Sequence, residues 1–462
     1  MEEKFDPKTL LYKNENAFAR EDREELKKSA ADYCVGYKKF LDNGKTEREV
    51  VRETIPMLEA KGYVAYEIGD KIVRGGKYYL NNRGKSIIIF KVGTEPIENG
   101  VRIAAAHIDS PRVDFKPCPV FEEAEMCFFK THYYGGIKKY QWVATPLSLH
   151  GAICTKNGDV NVTYGENDEE PCFYINDLPP HLAQLQYEKS AAKIIEGEQL
   201  NVLAGTEPYA SDEKLSDAVK LNVLAALNEK YGCTEADLIN SELCAVPAAK
   251  ARDIGFDRSL IGSYGHDDRV CAYPAVTAIL DSEDSEHTLM TILADKEEIG
   301  SEGVSGMQCQ IFEDVLEEIA LALNGNPRAV RAHSKCLSAD VNVAYDPNFP
   351  EVFEKRNSAM LGHGVVLSKY TGARGKSGTS DASAEFVSFV TNSFDHDNVA
   401  WQMAELGKVD LGGGGTVAKF IAKANIDTVD LGVPVISMHA PYEVVSKIDV
   451  YMTHKAIKAF YR

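Results

Sequence analysis

The chain has 462 residues, and a chain of this length predicts two domains rather than one. Its formal net charge of -19 argues against nucleic acid or an anionic membrane as the natural partner. No run of about 18 apolar residues occurs, so no transmembrane helix is expected. The N-terminal sequence has no apolar core of signal-peptide type, and the ten cysteines form no CxxC pair. We therefore expect a cytoplasmic protein with free thiols.

The first part of the chain has the pattern of an α/β domain. Apolar residues recur with helical period over 16–43 and over 46–61. Apolar runs over 85–91 and 101–106 predict buried strands. The second strand is followed at once by His-Ile-Asp at 107–109. Because sites in open α/β sheets lie beyond the carboxyl ends of strands, we expect functional side chains at this point.

The character of the sequence changes between residues 118 and 243. Short strand-like runs are separated there by Gly, Asp and Asn turns, and one helix is predicted over 210–230. We therefore predict a β-rich domain inserted into the α/β domain. The predicted division has a first catalytic part, an insertion and a second catalytic part, at 1–117, 118–243 and 244–462.

From residue 244 the α/β pattern returns, and three predicted strands lead into charged side chains. The apolar run at 291–294 precedes Asp-Lys-Glu-Glu. The run at 335–341 contains Asp340, and the run at 433–438 precedes His439. Helices are predicted over 263–282 (after an acidic turn), 311–323, 379–389, 416–424 and 443–460.

The acidic turn after residue 294 contains the adjacent carboxylates Glu297 and Glu298. Two neighbouring carboxylates at the end of a buried strand repel one another and resist burial, so a cation is expected nearby. One carboxylate could bind a divalent metal while its neighbour moves a proton. The alternative is a strand that runs into an acidic, solvated loop.

Five apolar stretches end in, or lead to, a candidate metal ligand. The candidates are His107, Asp268, Glu298, Asp340 and His439. Two imidazoles and three carboxylates suit zinc, manganese or cobalt. Five ligands are too many for one open tetrahedral site, but they suit two ions about 4 Å apart that share one carboxylate. By chemistry alone Asp267 is as good a ligand as Asp268. Asp268 and Asp340 could instead be helix caps or turn residues.

Six motifs, in this order along the chain, resemble those of the M18 family of metalloaminopeptidases. The resemblance extends over nearly the whole chain, including the insertion, where PLSLHG (146–151) and PPHLA (179–183) fit. The six motifs are AAAHIDSP (104–111), GHDDRV (265–270), ADKEEIGSEGVSG (294–306), LSADVN (337–342), GGGGTVAK (412–419) and ISMHAPYE (436–443).

The resemblance implies a role for each candidate residue. It assigns one metal to His107, Asp268 and Asp340, and the other to Asp268, Glu298 and His439. Asp268, rather than Asp267, is thereby the expected bridge. Glu297 matches the general base, and Asp109 matches the residue that orients the metal-binding histidine. The implied cofactor is a pair of divalent ions per subunit, zinc first, with manganese or cobalt as alternatives.

The resemblance also implies a fold, an assembly and a substrate. The fold is a zinc-peptidase-type mixed sheet flanked by helices, with the β-rich insertion making dimer contacts. The expected homo-oligomer is a dodecamer built from dimers, in which His181 reaches a neighbouring subunit's active site. Family members that prefer acidic residues carry a Lys, which Lys369 matches. They carry a Tyr seven residues later, where this chain has Lys376, so an acidic or a broader preference stays open.

The implied activity is removal of the N-terminal residue of peptides by hydroxide that two metals activate, with Glu297 as general base. Two alternatives stay open, and the second of them belongs to another class of protein. One is a different hydrolase with two zinc ions, such as a carboxypeptidase or amidohydrolase. The other is a cage-forming scaffold protein without activity. A requirement for a free α-amine on the substrate separates the aminopeptidase from the other hydrolases.

Overall fold

The computed structural model describes residues 7–20, 22–282 and 285–462. Residue 21, which falls in the first predicted helix, and residues 1–6 of the first predicted domain part lie outside the described residues. The described chain contains three β-sheets, of nine, seven and five strands. Helices cover the nine-stranded sheet, and the cluster of predicted site residues lies where the three sheets approach one another.

The nine-stranded sheet is mixed, and its four central strands run parallel. Their burial is complete or nearly so, as expected for strands covered on both faces. In spatial order the strands are Val64–Ala65, Lys77–Asn82, Ser86–Lys91, Thr288–Ala294, Val101–His107, Lys335–Ala339, Asp427–Gly432, Val365–Ser368 and Trp401–Met403.

Helices pack on both faces of this sheet because alternate strand residues present apolar side chains to either side. On one face Ile89, Ala104 and Leu293 contact a large apolar cluster. On the other face Ile103 and Met290 contact a second cluster. The helices of the described chain are Arg23–Asn43, Glu47–Glu59, Gln184–Tyr187, Ala218–Tyr231, His266–Leu280, Ile311–Ala322, Pro327–His333, Ala384–His396, Ala418–Lys423 and Lys447–Phe460. No helix in the described ranges is long and apolar enough to cross a membrane.

The seven-stranded sheet is antiparallel and closes on itself. Ser241–Pro247 pairs with Arg112–Glu123 and also with Pro146–Thr155, so six strands form a ring. The first and last strands run past 118 and 243, the predicted boundaries of the insertion. In order the strands are Ser241–Pro247, Arg112–Glu123, Met126–Tyr134, Val202–Gly205, Phe173–Ile175, Pro146–Thr155 and Gly158–Tyr164.

The five-stranded sheet carries the last strand of the chain. Residues 443–460 were expected to be one helix, but Glu443–Ser446 pairs with Leu260–Ser263 and the helix begins at Lys447. The apolar residues of this short segment satisfy a strand as well as a first helical turn, and pairing with a neighbour decides between them. In order the strands are Arg252–Ile254, Leu260–Ser263, Glu443–Ser446, Pro434–Ile436 and Asn342–Val343.

Several other predicted elements differ in extent, among them the helix predicted over 210–230, which begins at Ala218. The helix predicted over 379–389 begins at Ala384, where the Ser383 side chain accepts the N–H of Phe386. The strand predicted over 433–438 ends at Ile436, because Ser437 and His439 both have positive φ angles. His439 is therefore presented from a turn rather than from the strand itself.

Candidate metal centre

Three adjacent parallel strands bring three of the predicted ligands to one edge of the nine-stranded sheet. Strand Val101–His107 lies between Thr288–Ala294 and Lys335–Ala339, with His107 in register with Ala294. The turn with Glu298 follows one neighbour, and Asp340 follows the other. The arrangement matches the rule that sites form beyond the carboxyl ends of parallel strands.

The other side of the cluster comes from elements next to the five-stranded sheet. His439 lies in the turn after Pro434–Ile436, and Asp267 and Asp268 lie at the start of the helix His266–Leu280, where their backbone angles are not helical. A cis peptide bond joins the two aspartates. The helix start and the turn thus face the three strand ends.

Asp267 lies between the two histidines. Its Oδ1 is 3.0 Å from His107 Nε2, and its Oδ2 is 3.1 Å from His439 Nε2. His107 Nε2 is also 3.6 Å from Asp340 Oδ1, and His439 Nε2 is 3.4 Å from Glu298 Oε1. Each histidine nitrogen therefore faces two carboxylate oxygens, and one of the two belongs to Asp267 in both cases.

These spacings fit metal ligands. Two donors that each lie 2.0–2.1 Å from one tetrahedral zinc are separated by about 3.3 Å. The four nitrogen–oxygen distances, from 3.0 to 3.6 Å, lie around that value. Three buried carboxylate oxygens at this place, Asp267 Oδ1, Asp268 Oδ1 and Glu298 Oε1, make no hydrogen bond within the described residues. A bound cation would stabilise buried carboxylates that lack hydrogen bonds, so the donor set fits a divalent metal.

Asp268 is also buried within the cluster. Its Oδ2 accepts the backbone N–H of His107 at 3.3 Å. Side-chain donor atoms of His107, Asp268 and Asp340 lie within 4.8 Å of one another, and so do those of His107, Asp267 and Glu298. Either aspartate can therefore approach a metal, but the contacts to both histidines are made by Asp267.

The titration properties follow from burial and crowding. Burial, which opposes ionisation, is outweighed by the imidazoles of His107 and His439, so the pKa of Asp267 lies below its usual range. Burial and the Asp267 charge raise the pKa of Glu298 well above its usual value. Burial and nearby carboxylates raise the pKa of Glu297 to about 8. The carboxylates of the cluster outnumber its two imidazoles, and bound divalent cations would balance the excess negative charge.

Asp109 connects His107 to the acidic turn. His107 Nδ1 lies 3.0 Å from the Asp109 carbonyl oxygen and 3.3 Å from its Oδ1, which leaves Nε2 to face the cluster. The Asp109 carboxylate also accepts the backbone N–H groups of Glu297 and Glu298, both at 3.1 Å. A partner on the far ring nitrogen fixes the tautomer of a metal-binding histidine.

Three residues at the cluster were not predicted from the sequence. Tyr134 donates its hydroxyl to Asp109 Oδ2 at 2.8 Å, and His439 Nδ1 lies 2.8 Å from the Gly136 carbonyl oxygen. Glu443 accepts the backbone N–H groups of Asp267 at 3.1 Å and His439 at 2.7 Å. Glu443 ends the ISMHAPYE motif, which could have identified it, whereas no chemical pattern distinguishes Tyr134.

The predicted substrate-binding residues lie in more exposed positions. His181 is exposed in the short 3-10 helix Pro180–Leu182 and makes no hydrogen bond or ion pair to the cluster among the described residues. Lys376 Nζ pairs with Asp381 at 2.9 Å and lies 3.8 Å from the ring centroid of Tyr370. Lys369 is half-buried, and its carbonyl oxygen accepts the N–H of Ala382.

Comparison with known proteins identifies the family of the chain. The family model described as aminopeptidase I zinc metalloprotease (M18) matches residues 40–461. The chain belongs to the M18 family. The prediction of a metalloaminopeptidase from the motifs is thereby confirmed, and so is the mixed α/β fold.

Relatives resemble the chain over more than nine-tenths of its length. A probable M18 family aminopeptidase 1 from Clostridium acetobutylicum is 47% identical and covers 98% of this chain and 99% of its own length. An M18 aminopeptidase structure from Thermotoga maritima has a TM-score of 0.93 at 40% identity, covering 98% of this chain and all of its own. The mApe1 dodecamer of S. cerevisiae, at 22% identity and a TM-score of 0.76, shares the fold over 93% of this chain and 96% of its own.

Proposed function

We propose that this M18 aminopeptidase removes the N-terminal residue of peptides at a centre of two divalent ions. The observation that supports the pair is the position of Asp267, whose two oxygens face two different histidines at 3.0 and 3.1 Å. One ion would be held by His107, Asp267 and Asp340. The other would be held by Asp267, Glu298 and His439.

Asp267 replaces Asp268 as the proposed bridge. A bridging carboxylate must offer one oxygen to each ion, and Asp267 has an oxygen on each side of the cluster. Asp268 has one oxygen engaged by the His107 backbone N–H. We propose that Asp268 holds the end of the strand that contains His107, through this hydrogen bond, and does not bridge the two ions. Zinc is the proposed metal, with manganese and cobalt as the alternatives.

When bound, the two ions would polarise the scissile carbonyl and make a water molecule between them more acidic. Glu297 is the proposed general base. Its backbone N–H is held by Asp109, and its side chain is partly buried. Glu297 takes the proton of the attacking water and returns it to the leaving amine, which one carboxylate can do in both directions.

We infer the preference for the side chain of the substrate's N-terminal residue from the charged groups Lys369 and Lys376. Lys376 is already paired with Asp381, so an acidic substrate side chain would have to compete for it. Lys369 has no ion pair among the described residues, so its ammonium group is our candidate partner for a substrate carboxylate. We propose a preference for Asp or Glu that depends on Lys369, together with contacts from His181 of a second copy.

We propose a cytoplasmic homo-oligomer, a dodecamer built from dimers. The likeness of the fold to the S. cerevisiae dodecamer supports the assembly. The ten cysteines, none of which forms a disulfide, support a reducing compartment. The seven-stranded sheet region is the proposed dimerisation domain.

The test is an assay of the purified protein with zinc, manganese or cobalt added. Aminoacyl chromogenic substrates with Asp, Glu, Leu, Lys or Ala are each compared with their N-acetylated forms. We expect cleavage only where the amine is free, loss of cleavage with a chelator, and fastest turnover of Asp or Glu. Cleavage of the acetylated forms would contradict an aminopeptidase. A Leu or Ala optimum would contradict the acidic preference alone.

A further inference from the structure

The segment Tyr134–Gly136 contacts both sides of the candidate metal centre, although it belongs to the seven-stranded sheet region. It begins at the last residue of the strand Met126–Tyr134. The Tyr134 hydroxyl lies 2.8 Å from Asp109 Oδ2, and the Gly136 carbonyl oxygen lies 2.8 Å from His439 Nδ1. Asp109 in turn contacts His107, so the segment touches a partner of one histidine and the second histidine itself.

The glycines permit this close approach. A Cβ atom at Gly135, whose φ is +73°, would lie 3.2 Å from Glu298 Oε2 and 3.3 Å from Glu298 Cβ. A Cβ at Gly136 would lie 3.5 Å from His439 Nδ1. The backbone therefore packs directly against two of the proposed ligands, with no side chain between them.

Tyr134 is held firmly in this position. The guanidinium of Arg112 lies over its ring, 4.4 Å from the centroid, and Arg112 pairs with Glu47 at 2.7 Å. Burial and the neighbouring Asp109 charge raise the pKa of Tyr134 far above its usual value, so the hydroxyl remains a donor. The hydroxyl can therefore only donate to the Asp109 carboxylate.

We propose that Tyr134–Gly136 is a positioning segment through which the seven-stranded sheet region fixes the metal ligands of its own chain. This proposal rests on the two-metal function proposed above. The Tyr134 hydroxyl orients Asp109, which holds His107 and the backbone of Glu297 and Glu298. The Gly136 carbonyl accepts the Nδ1 proton of His439 and directs Nε2 toward the metal. The site is thus built by both domains of one subunit.

The experiment compares Tyr134→Phe with Tyr264→Phe in the full-length protein. Tyr264 is a matched control because it is buried, donates its hydroxyl to the Pro111 carbonyl at 3.0 Å and lies under the guanidinium of Arg269. Each variant loses one buried hydroxyl and keeps its ring, so both are expected to fold. Each protein is assayed for melting temperature, zinc affinity by chelator competition, amide hydrogen exchange at residues 297–298 in metal-free protein, kcat and KM.

Tyr134→Phe should weaken zinc affinity about 10-fold or more, which is the usual scale for partners of metal ligands. It should also speed exchange of the 297–298 amides, and lower kcat about 10-fold while KM stays within about twofold. Tyr264→Phe should lower the melting temperature by a similar amount. It should leave zinc affinity, exchange of the 297–298 amides, kcat and KM unchanged.

Identical behaviour of the two variants in zinc affinity and exchange would overturn the positioning role. Failure of the proposed function gives a different result, in which wild-type protein itself neither binds zinc nor cleaves free-amine substrates. Even then the exchange comparison in metal-free protein decides whether Tyr134 holds the contacts between Asp109 and the acidic turn.

Discussion

Two regions of the molecule reach the same cluster with different kinds of atoms. The α/β region supplies charged side chains from strand ends and from the turns beside them. The seven-stranded sheet region supplies one hydroxyl and one backbone carbonyl, from Tyr134 and Gly136. The first set suits binding of cations, and the second suits holding those ligands in place.

The same two regions meet a second time, away from the cluster. Lys45 and Glu49 of the α/β region enclose the His150 and Glu166 side chains of the sheet region. Lys45 Nζ lies 2.7 Å from Glu166, and His150 lies 2.8 Å from Glu49 and 3.1 Å from Glu166. The first junction, at Tyr134 and Gly136, therefore supports the site. The second junction, of Lys45, Glu49, His150 and Glu166, attaches the two regions to each other. Substitutions at each should separate activity from stability.

The largest effect is expected at Glu297. Glu297→Gln should leave metal content unchanged and lower kcat by at least about 100-fold, because proton transfer by a positioned carboxylate contributes on that scale. The measurement pairs turnover of a free-amine substrate with elemental analysis. Glu302→Gln, an exposed carboxylate on the same loop, is the control. Near wild-type turnover in Glu297→Gln would remove it as the base.

His439→Ala should remove one of the two ions. The change takes a nitrogen ligand from the ion shared with Glu298, while the His107 side keeps its ligands. Metal content per subunit should fall from two toward one, measured by elemental analysis after dialysis. His396→Ala, at an exposed histidine, should keep two. Full occupancy in His439→Ala would exclude it as a ligand.

At the second junction, Glu166→Gln should lower the unfolding free energy by about 3 kcal/mol, because it leaves the buried Lys45 without a carboxylate and His150 with Glu49 alone. Thermal or denaturant unfolding measures this loss. Glu242→Gln is the control, since Glu242 also joins the two regions, through Arg48 and Lys85, but is half exposed. It should cost less than about 1 kcal/mol. Equal costs would contradict the importance of burial.

The stabilisation at this junction should depend on pH. Burial raises the pKa of Glu166, but His150 and Lys45 outweigh it and hold the pKa below the usual value, so its contribution is lost as pH falls below about 4.5. Burial lowers the pKa of His150, but Glu166 and Glu49 outweigh it and raise the pKa, so its contribution is lost as pH rises above about 6.5. The stability difference between wild type and Glu166→Gln should peak between these limits. A difference that keeps growing above pH 7 would contradict the sign for His150.

The strand-end ligands could be predicted because an abrupt change from apolar to charged residues is visible in the sequence. His107 ends a buried strand, Glu298 and Asp340 follow two others, and parallel strands bring their carboxyl ends together. Whether Asp267 or Asp268 faces both sets of ligands depends on the local backbone at the start of a helix. The spacing of apolar residues in the sequence does not predict that backbone. Tyr134 could not be predicted, because its role comes from a contact with Asp109 that depends on how two sheets pack together.

The most direct test of Asp267 as the bridging carboxylate is the zinc content of three proteins. Wild type, Asp267→Asn and Asp268→Asn are loaded with zinc, dialysed and analysed for zinc per subunit. The Asn side chain of Asp268→Asn still has an oxygen that accepts the His107 N–H. The Asn side chain of Asp267→Asn has only one oxygen and no negative charge, so it cannot bridge two cations. We predict two ions in wild type and in Asp268→Asn, and loss of both in Asp267→Asn. Retention of zinc in Asp267→Asn together with its loss in Asp268→Asn would contradict the assignment and return the bridge to Asp268.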